Sequence, residues 1–589
     1  MTRWALGALV VAALVVSARA DDQDDPATGD GSRAAGEPLT GRVLVAPGAR
    51  WDVAWAAGPA LTAALGPTAL AALDHVAGGP PPASVFGAAP PPAGWPLALT
   101  PTATGPAPIG PLDCRGCGTR LPGRDGERIA AVWAVTAFSL TAADRDLRVL
   151  ELRTRYRDGL AVWLNGVPVV RRSLPGADPL AIAARPHGPE WETVFVPVVP
   201  GLLRVGTNRL AVEVRPAGHT RAPTVEVELA GRPQARIVRG PMLGQVTPSA
   251  ATVVVETDLP TAASLAWGTG ALDRVAAAPP GVRRQHVFAL AGLPPEATIT
   301  YQLTIDGVVG PPVRFATAPG PGDVVRIGIY GDVRGGHRVH AALVDRLVAE
   351  APDAVLASGD LVLRGADEAD WQQFFAVTAP LIASIPYYPA VGNHDLGRAG
   401  DLARRFVDHF ALPPGPSDRP PGAAWYSFEL GDVHVVMLDS NAYDDARQRA
   451  WLEADLRAAD GARAIIAVTH DGPFSRGTHG GNQQAVRDYV PILVRHRVTL
   501  LVSGHDHLYQ RGRQDGLAWV VSGGGGAPLY RVRCGVAGRP RCARPDGLVL
   551  AAREHHYLLL TVFPAHVEVC PRRADGAAIE PCFQLPTRR

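Results

Sequence analysis

The chain has 589 residues, 47% of them hydrophobic, and its 57 basic and 56 acidic side chains leave a formal net charge of +1. That length exceeds what one core serves and points to three or four domains, with apolar residues enough to fill them. The charge balance argues against a nucleic-acid partner, which leaves a basic excess. Every basic side chain is arginine, which excludes Schiff-base and P-loop lysine chemistry.

The N-terminus, MTRWALGALVVAALVVSARA, joins an early arginine to an apolar run and ends in Ala18-Arg19-Ala20 before DDQDD. Residues 1–20 are therefore expected to be a cleaved secretory signal, giving a periplasmic or secreted protein. An uncleaved anchor is the rival, but the run is short for a span and its ending is small-x-small. No cysteine follows the run, and no later stretch is long and apolar enough to cross a bilayer. Residues 21–41 are acidic, then rich in Gly, Ser and Ala, and read as a disordered linker.

From 42 to 232 the pattern is β. LRVLELRTRYRDGLAVWLNGVPVVRR alternates apolar and polar residues around an Asn165-Gly166 hairpin signal, and LRVGTNRLAVEVRP alternates again. GGPPPASVFGAAPPPAGWP is a proline-rich loop. The stretches DGLAVWLNGVPVVRR and VGTNRLAVEV resemble galactose-binding-like jelly rolls, which implies a sandwich that grips a glycan or packs on a neighbour. From 235 to 318, ATVVVETD, SLAWG, HVFALAGL, ATITYQLTIDG and PVRFATAP are short, evenly spaced strands. HVFALAGLPPEATITYQLTIDG resembles the fibronectin type III repeat that precedes the catalytic domain of purple acid phosphatases; a spacer role is expected for it.

From about 323 to 570 the texture changes. VVRIGIYGD, DAVLASGD, YYPAVGNHD, AIIAVTHDG and VTLLVSGHDH each run from an apolar strand into polar residues. HRVHAALVDRLVAEA, ADWQQFFAVTAPLIAS, ARQRAWLEADLRAAD and NQQAVRDYVPILVRH lie between as helices. This alternation predicts βαβ units, and AWYSFELGDVHVVMLDS interrupts it as a hairpin. The expected whole is two all-β sandwiches followed by an α/β domain, with 571–589 as a disulfide-linked tail. Six cysteines fall into close pairs: Cys114 with Cys117, Cys534 with Cys542, Cys570 with Cys582. Disulfides are the simplest reading in an exported chain. Zinc at CRGC lacks a second ligand pair, and redox use of CRGC lacks its strand-to-helix setting.

Ligands gather at the carboxyl ends of strands in open α/β sheets. Five successive strand ends here carry metal-capable side chains: Asp332, Asp360, Asn393 with His394, His470, and His505 with His507. One such residue is ordinary turn chemistry; five in series are not. Carboxylate, amide oxygen and imidazole together suit Fe, Mn or Zn.

The ordered series GDVR, GDLV, GNHD, THDG and GHDH resembles the calcineurin-like metallophosphoesterase superfamily, in its purple acid phosphatase-like branch, and VVSGGGGAPLY fits that branch. The resemblance implies an αββα sandwich for the α/β domain and two metal ions: Asp332 and His507 on the first, Asp360 bridging both, and Asn393, His470 and His505 on the second. It implies hydrolysis of phosphomonoesters or phosphodiesters by a metal-bridging hydroxide. His394 would give a proton to the leaving group, and Arg334 would pair with the phosphate. Asp395, Asp439 and Asp471 have ordinary orienting or capping readings. Two departures concern the first ion. The usual DxH is Asp332-Val333-Arg334, and the tyrosine that purple acid phosphatases place three residues after the bridging aspartate is Leu363. Water, His337 or His340 is expected to fill the gap, and the purple tyrosinate-to-iron colour is not expected. The alternative is a surface glycan-binding protein with a degenerate phosphoesterase domain.

Overall fold

The structure is a computed structural model. It describes residues 42–588 apart from 58–102, 112–118, 122–128, 175–182, 184–190, 218–223, 278–280, 398–402 and 532–546 and a few single positions or pairs. The expected signal, the linker, the proline-rich loop and the first two cysteine pairs fall outside the described residues.

The alternating stretches of the first region become two facing six-stranded sheets. Val149–Tyr156 pairs with Trp191–Pro197 and Val225–Arg232 in one of them. Gly159–Leu164 pairs with Gly206–Arg215 and Val167–Arg172 in the other. The chain thus changes sheet at 157–158, and the hairpin lies at Asn165-Gly166, whose φ values of 49 and 90 suit a tight turn of that type. Leu150, Leu152, Val162, Val212 and Leu229 fill the space between the sheets. The second region forms a smaller sandwich. Ile237–Gly244, Ala250–Thr261 and Arg283–Ala291 face a sheet of Arg274–Ala277, Ala263–Gly268, Thr298–Ile305 and Val308–Ala316.

The third region is layered αββα. Tyr387–Pro389, Ala354–Ala357 and Val325–Tyr330 run parallel. Antiparallel His556–Val562, His566–Arg573 and Phe583–Pro586 complete that sheet, so the C-terminal tail ends in an edge strand. The second sheet holds parallel Val433–Met437, Ala464–Val468, Leu500–Ser503 and Leu517–Ser522. The expected hairpin is Tyr426–Leu430 with Val433–Met437. Ile327, Leu356, Val435, Ile466, Val502 and Leu560 are fully buried or nearly so between the sheets. His337–Glu350 and Glu368–Ile382 cover the first sheet, and Ala446–Ala458, Gln483–Asp488 and Val490–Arg495 the second. NQQAVRDYVPILVRH reads as one helical segment but is two short helices. Pro491 lacks the N–H that a continuous helix needs, and Tyr489 stands between them, buried.

Both sandwiches dock on the helix Glu368–Ile382. Gln372 exchanges two hydrogen bonds with the backbone of Thr193 (3.1 and 2.7 Å) from the first. Arg239 of the second bonds Glu368 at 3.3 Å, and Tyr301 donates to the Ala383 carbonyl at 2.8 Å. Cys570 and Cys582 form a disulfide. Among the described residues no helix is long and apolar enough to cross a membrane.

Candidate metal centre

All five strand ends point to one place. The loop after Val325–Tyr330 carries Asp332 and Arg334, and that after Ala354–Ala357 carries Asp360. Asn393 and His394 follow Tyr387–Pro389, His470 follows Ala464–Val468, and His505 and His507 follow Leu500–Ser503. Ligand atoms of Asp332, Asp360 and His470 lie within 4.8 Å of one another. His470 Nε2 is 3.0 Å from Asn393 Oδ1, 3.2 Å from Asp360 Oδ1 and 3.2 Å from His505 Nδ1. His507 Nε2 is 3.6 Å from Asp332 Oδ1. Asn393 stands exposed at the rim, whereas Asp332, Asp360, His470 and His507 are buried.

The backbone is bent to make this possible. Asp332, Asp360 and His505 have φ of 58, 55 and 68, the left-handed region that costs a non-glycine residue free energy and concentrates at functional sites. Glycines admit the close approach. A Cβ on Gly504 would run into the Asp332 carboxylate, and one on Gly392 into Asp360. The glycine-rich segment lies backbone to backbone on the Asp332 loop: Gly525 and Ala527 donate to the Gly331 and Asp332 carbonyls, both at 2.8 Å.

Outer contacts orient the donors. His470 Nδ1 donates to the Ser358 carbonyl at 2.9 Å and His507 Nδ1 to the Pro528 carbonyl at 2.8 Å, which leaves each Nε2 facing the cage. Asp395 accepts from the backbone N–H groups of Asp360, Leu361, Val362 and Gly392, so its expected orienting role matches its contacts. Asp439 caps a turn by accepting from Asn441 N, and Asp471 accepts from Asn482 at 2.5 Å. His394 donates from Nδ1 to the Leu363 carbonyl at 2.8 Å, and its backbone N–H reaches Asp360 Oδ1 at 3.0 Å.

Burial lowers the pKa of His505 to about 2, helped by His470, and that of His507 to about 3, helped by Arg334; both stay neutral, as imidazole ligands must. At His470 burial is outweighed by Asp360 and Asp332, which push its pKa up to about 10. At Asp360 burial is likewise outweighed, by His470, His394 and Arg334, and the carboxyl is held below its usual range. The donor set of Asp360, Asn393, His470 and His505 would suit a transition-metal ion. The Asp332–His507 side differs: the Arg334 guanidinium lies against it, Nε 3.3 Å from Asp360 Oδ2 and Nη2 3.5 Å from His507 Nε2.

One expectation fails. His340 does not turn back toward the cage; it stacks on Phe374 (5.6 Å between centroids) and shares a 3.1 Å hydrogen bond with the Tyr330 hydroxyl. The helix phase aims it into the aromatic core, where burial lowers its pKa to about 3. Two residues join the site unforeseen. The His479 ring lies 4.3 Å from that of His505, and Tyr530 lies flat on His507 at 4.1 Å with its hydroxyl 3.3 Å from His479 Nε2. Their signals were present: His479 sits in the glycine-rich loop 472–483, and Tyr530 ends the VVSGGGGAPLY segment.

With this geometry, comparison with known proteins is specific. Residues 325–509 match the family model Calcineurin-like phosphoesterase, and 234–320 match Domain of unknown function (DUF7800). Purple acid phosphatase 22 of Arabidopsis thaliana is 28% identical over 227 residues, covering 37% of this chain and 52% of that protein. Purple acid phosphatase 23 of the same plant is 26% identical over 265 residues, covering 38% and 57%. The structure of purple acid phosphatase PPD1 from yellow lupin (Lupinus luteus) seeds aligns with a TM-score of 0.54 at 18% identity, over 78% of this chain and 93% of that one. Within the third region, residues 325–509 form a calcineurin-like phosphoesterase domain, similar in sequence to these purple acid phosphatases. The chain spans between half and three-fifths of the length of these two curated relatives.

Proposed function

We propose that the protein is an exported, metal-dependent phosphohydrolase acting on phosphomonoesters or phosphodiesters. One observation carries the reading: ligand atoms of two carboxylates and an imidazole from strand ends far apart in sequence, Asp332, Asp360 and His470, lie within 4.8 Å of one another, in a domain whose relatives are phosphatases. The metal residues are Asp332, Asp360, Asn393, His470, His505 and His507. A bound metal ion supplies Lewis acidity, polarising phosphoryl oxygens and acidifying water. The chain does the rest. Asp360 ties the cage together, and Asp395 fixes the Asp360 loop through four backbone N–H groups. Arg334 offers a planar, permanently charged fork to a phosphoryl oxygen. His394, anchored through Nδ1, keeps Nε2 for the leaving-group oxygen. Burial lowers its pKa, so the charge of a bound phosphate is what restores the proton it donates.

In this reading residues 42–232 are a galactose-binding-like sandwich, available to a glycan, and 235–318 a fibronectin type III-like spacer. Residues 323–570 are the catalytic domain and 571–589 its tail. Export rests on the apolar N-terminus and is supported by the Cys570–Cys582 disulfide. The test is elemental analysis of the purified chain followed by assay on nitrophenyl phosphate and bis-nitrophenyl phosphate. Bound transition metal with turnover on either ester is expected. Protein free of metal after reconstitution, or loaded protein inert on both, defeats the reading and favours the glycan-binding alternative.

A further inference from the structure

We infer that the protein works with one ion, held by Asp360, Asn393, His470 and His505, and that the Arg334 guanidinium takes the position of a second. This rests on the phosphohydrolase reading and departs from the two ions that the sequence resemblance implies, leaving Asp332 and His507 without one. The guanidinium lies between two of the groups the second ion would need, 3.3 Å from Asp360 Oδ2 and 3.5 Å from His507 Nε2, with the side chain only 12% exposed. His507 is locked by its Pro528 hydrogen bond and by Tyr530 on its face, so its Nε2 lone pair points at the arginine. An imidazole lone pair accepts N–H as readily as it binds metal.

Ligand supply agrees. Beyond the shared Asp360, the second position has Asp332 and His507. The chain puts arginine two residues after Asp332 and leucine three residues after Asp360. Of the two histidines that could complete it, His337 and His340, the second is committed to Tyr330 and Phe374. Asp332 is occupied as well: its carboxylate accepts the His505 backbone N–H, with both oxygens at 3.1 Å, and so positions a ligand of the retained ion. Electrostatics points the same way. A guanidinium cannot shed its proton in a protein. A divalent ion a few ångströms from it, inside a buried cage, meets strong repulsion. The function of the second charge survives, because the fork that excludes the ion pairs with the phosphoryl oxygens the ion would have held.

Manganese loading of the full chain tests this without an activity assay. The protein is saturated with Mn2+, desalted, and examined by elemental analysis and electron paramagnetic resonance. One Mn per chain with the spectrum of an isolated ion is expected, and Arg334→His is expected to double the metal content and give an exchange-coupled pair. His507→Ala should keep its one ion. Two Mn per chain in the unaltered protein, or a single Mn in both it and a folded Arg334→His, overturns the inference. No Mn at all overturns the cage itself, and with it the phosphohydrolase reading. The spectrum of the unaltered protein decides the count even if the variant does not fold.

Discussion

Two of the buried histidines that lie against carboxylates, His470 and His434, look alike in charge, and only one of them belongs to the candidate site. His470 sits beside Asp360 and its pKa is pushed up to about 10; His434 sits between Glu429 (2.6 Å) and Asp455 (2.8 Å), which overcome burial and push it up to about 9. The titration behaviour is nearly the same. The surroundings are not. His434 lies within a regular strand, spends both ring nitrogens, and clamps the hairpin to the helix Ala446–Ala458, where Ser427 also donates to Asp455 at 2.7 Å. At His470 the neighbouring residues Asp332, Asp360 and His505 are held in left-handed backbone, glycines clear the space, and three acceptors, Asn393 Oδ1, Asp360 Oδ1 and His505 Nδ1, crowd the one Nε2. A shifted pKa reports charge pairing; strain together with surplus ligand capacity reports function.

Mutation and titration can break that contrast. The largest effect is expected for Asp360→Asn, which removes the carboxylate that touches His470, Arg334 and the His394 backbone. Metal content and turnover should fall together, turnover by roughly 10³-fold or more, in paired elemental and kinetic measurements. His394→Ala should keep its metal and lose about 10²–10⁴-fold in rate on esters with poor leaving groups, with a smaller loss on nitrophenyl esters. A plot of rate against leaving-group pKa would show the steeper slope.

Metal binding itself should be proton-linked. Because Asp360 and Asp332 outweigh burial and push the pKa of His470 up, an ion that takes its Nε2 is expected to displace about one proton. Affinity should therefore rise with pH toward 10, the value to which Asp360 and Asp332 push His470 against its burial. Calorimetry in two buffers of different ionisation enthalpy counts the proton.

The smallest effect is expected at the other histidine. His434→Gln should leave metal and turnover unchanged and cost about 1–3 kcal/mol of stability, the scale of lost hydrogen bonds to charged groups. The pKa of His434 in the fold lies above its ordinary 6.5, so its contribution is complete below that pH and is lost as pH rises through about 9. Melting temperatures of the unaltered protein and the variant should accordingly converge above pH 9. A His434 variant that lost metal would erase the distinction between the two histidines.

Much of the fold was legible because its signals are local. Apolar runs ending in GD, GNHD, THD and GHDH mark parallel strands and the loops at their carboxyl ends, and turn pairs such as Asn165-Gly166 mark hairpins. Less legible was anything that depends on which way a side chain leaves its element. His340 is one helical turn from the cage by sequence, yet its face of the helix meets Tyr330 and Phe374. His479 and Tyr530 were hidden for the opposite reason, since they lie in glycine-rich loops with no periodicity to orient them.

By itself, then, the sequence determined the order of the sandwiches and the α/β domain and the mixed oxygen and nitrogen side chains that follow its strands, because strand and turn chemistry are written in neighbouring residues. Only the tertiary structure decided that these ends meet, that His434 is a clamp and not a ligand, and that Arg334 lies between Asp360 and His507. Those outcomes depend on distances between segments as much as 173 residues apart, as Asp332 and His505 are, and such distances are set by how two sheets pack and not by any stretch of chain.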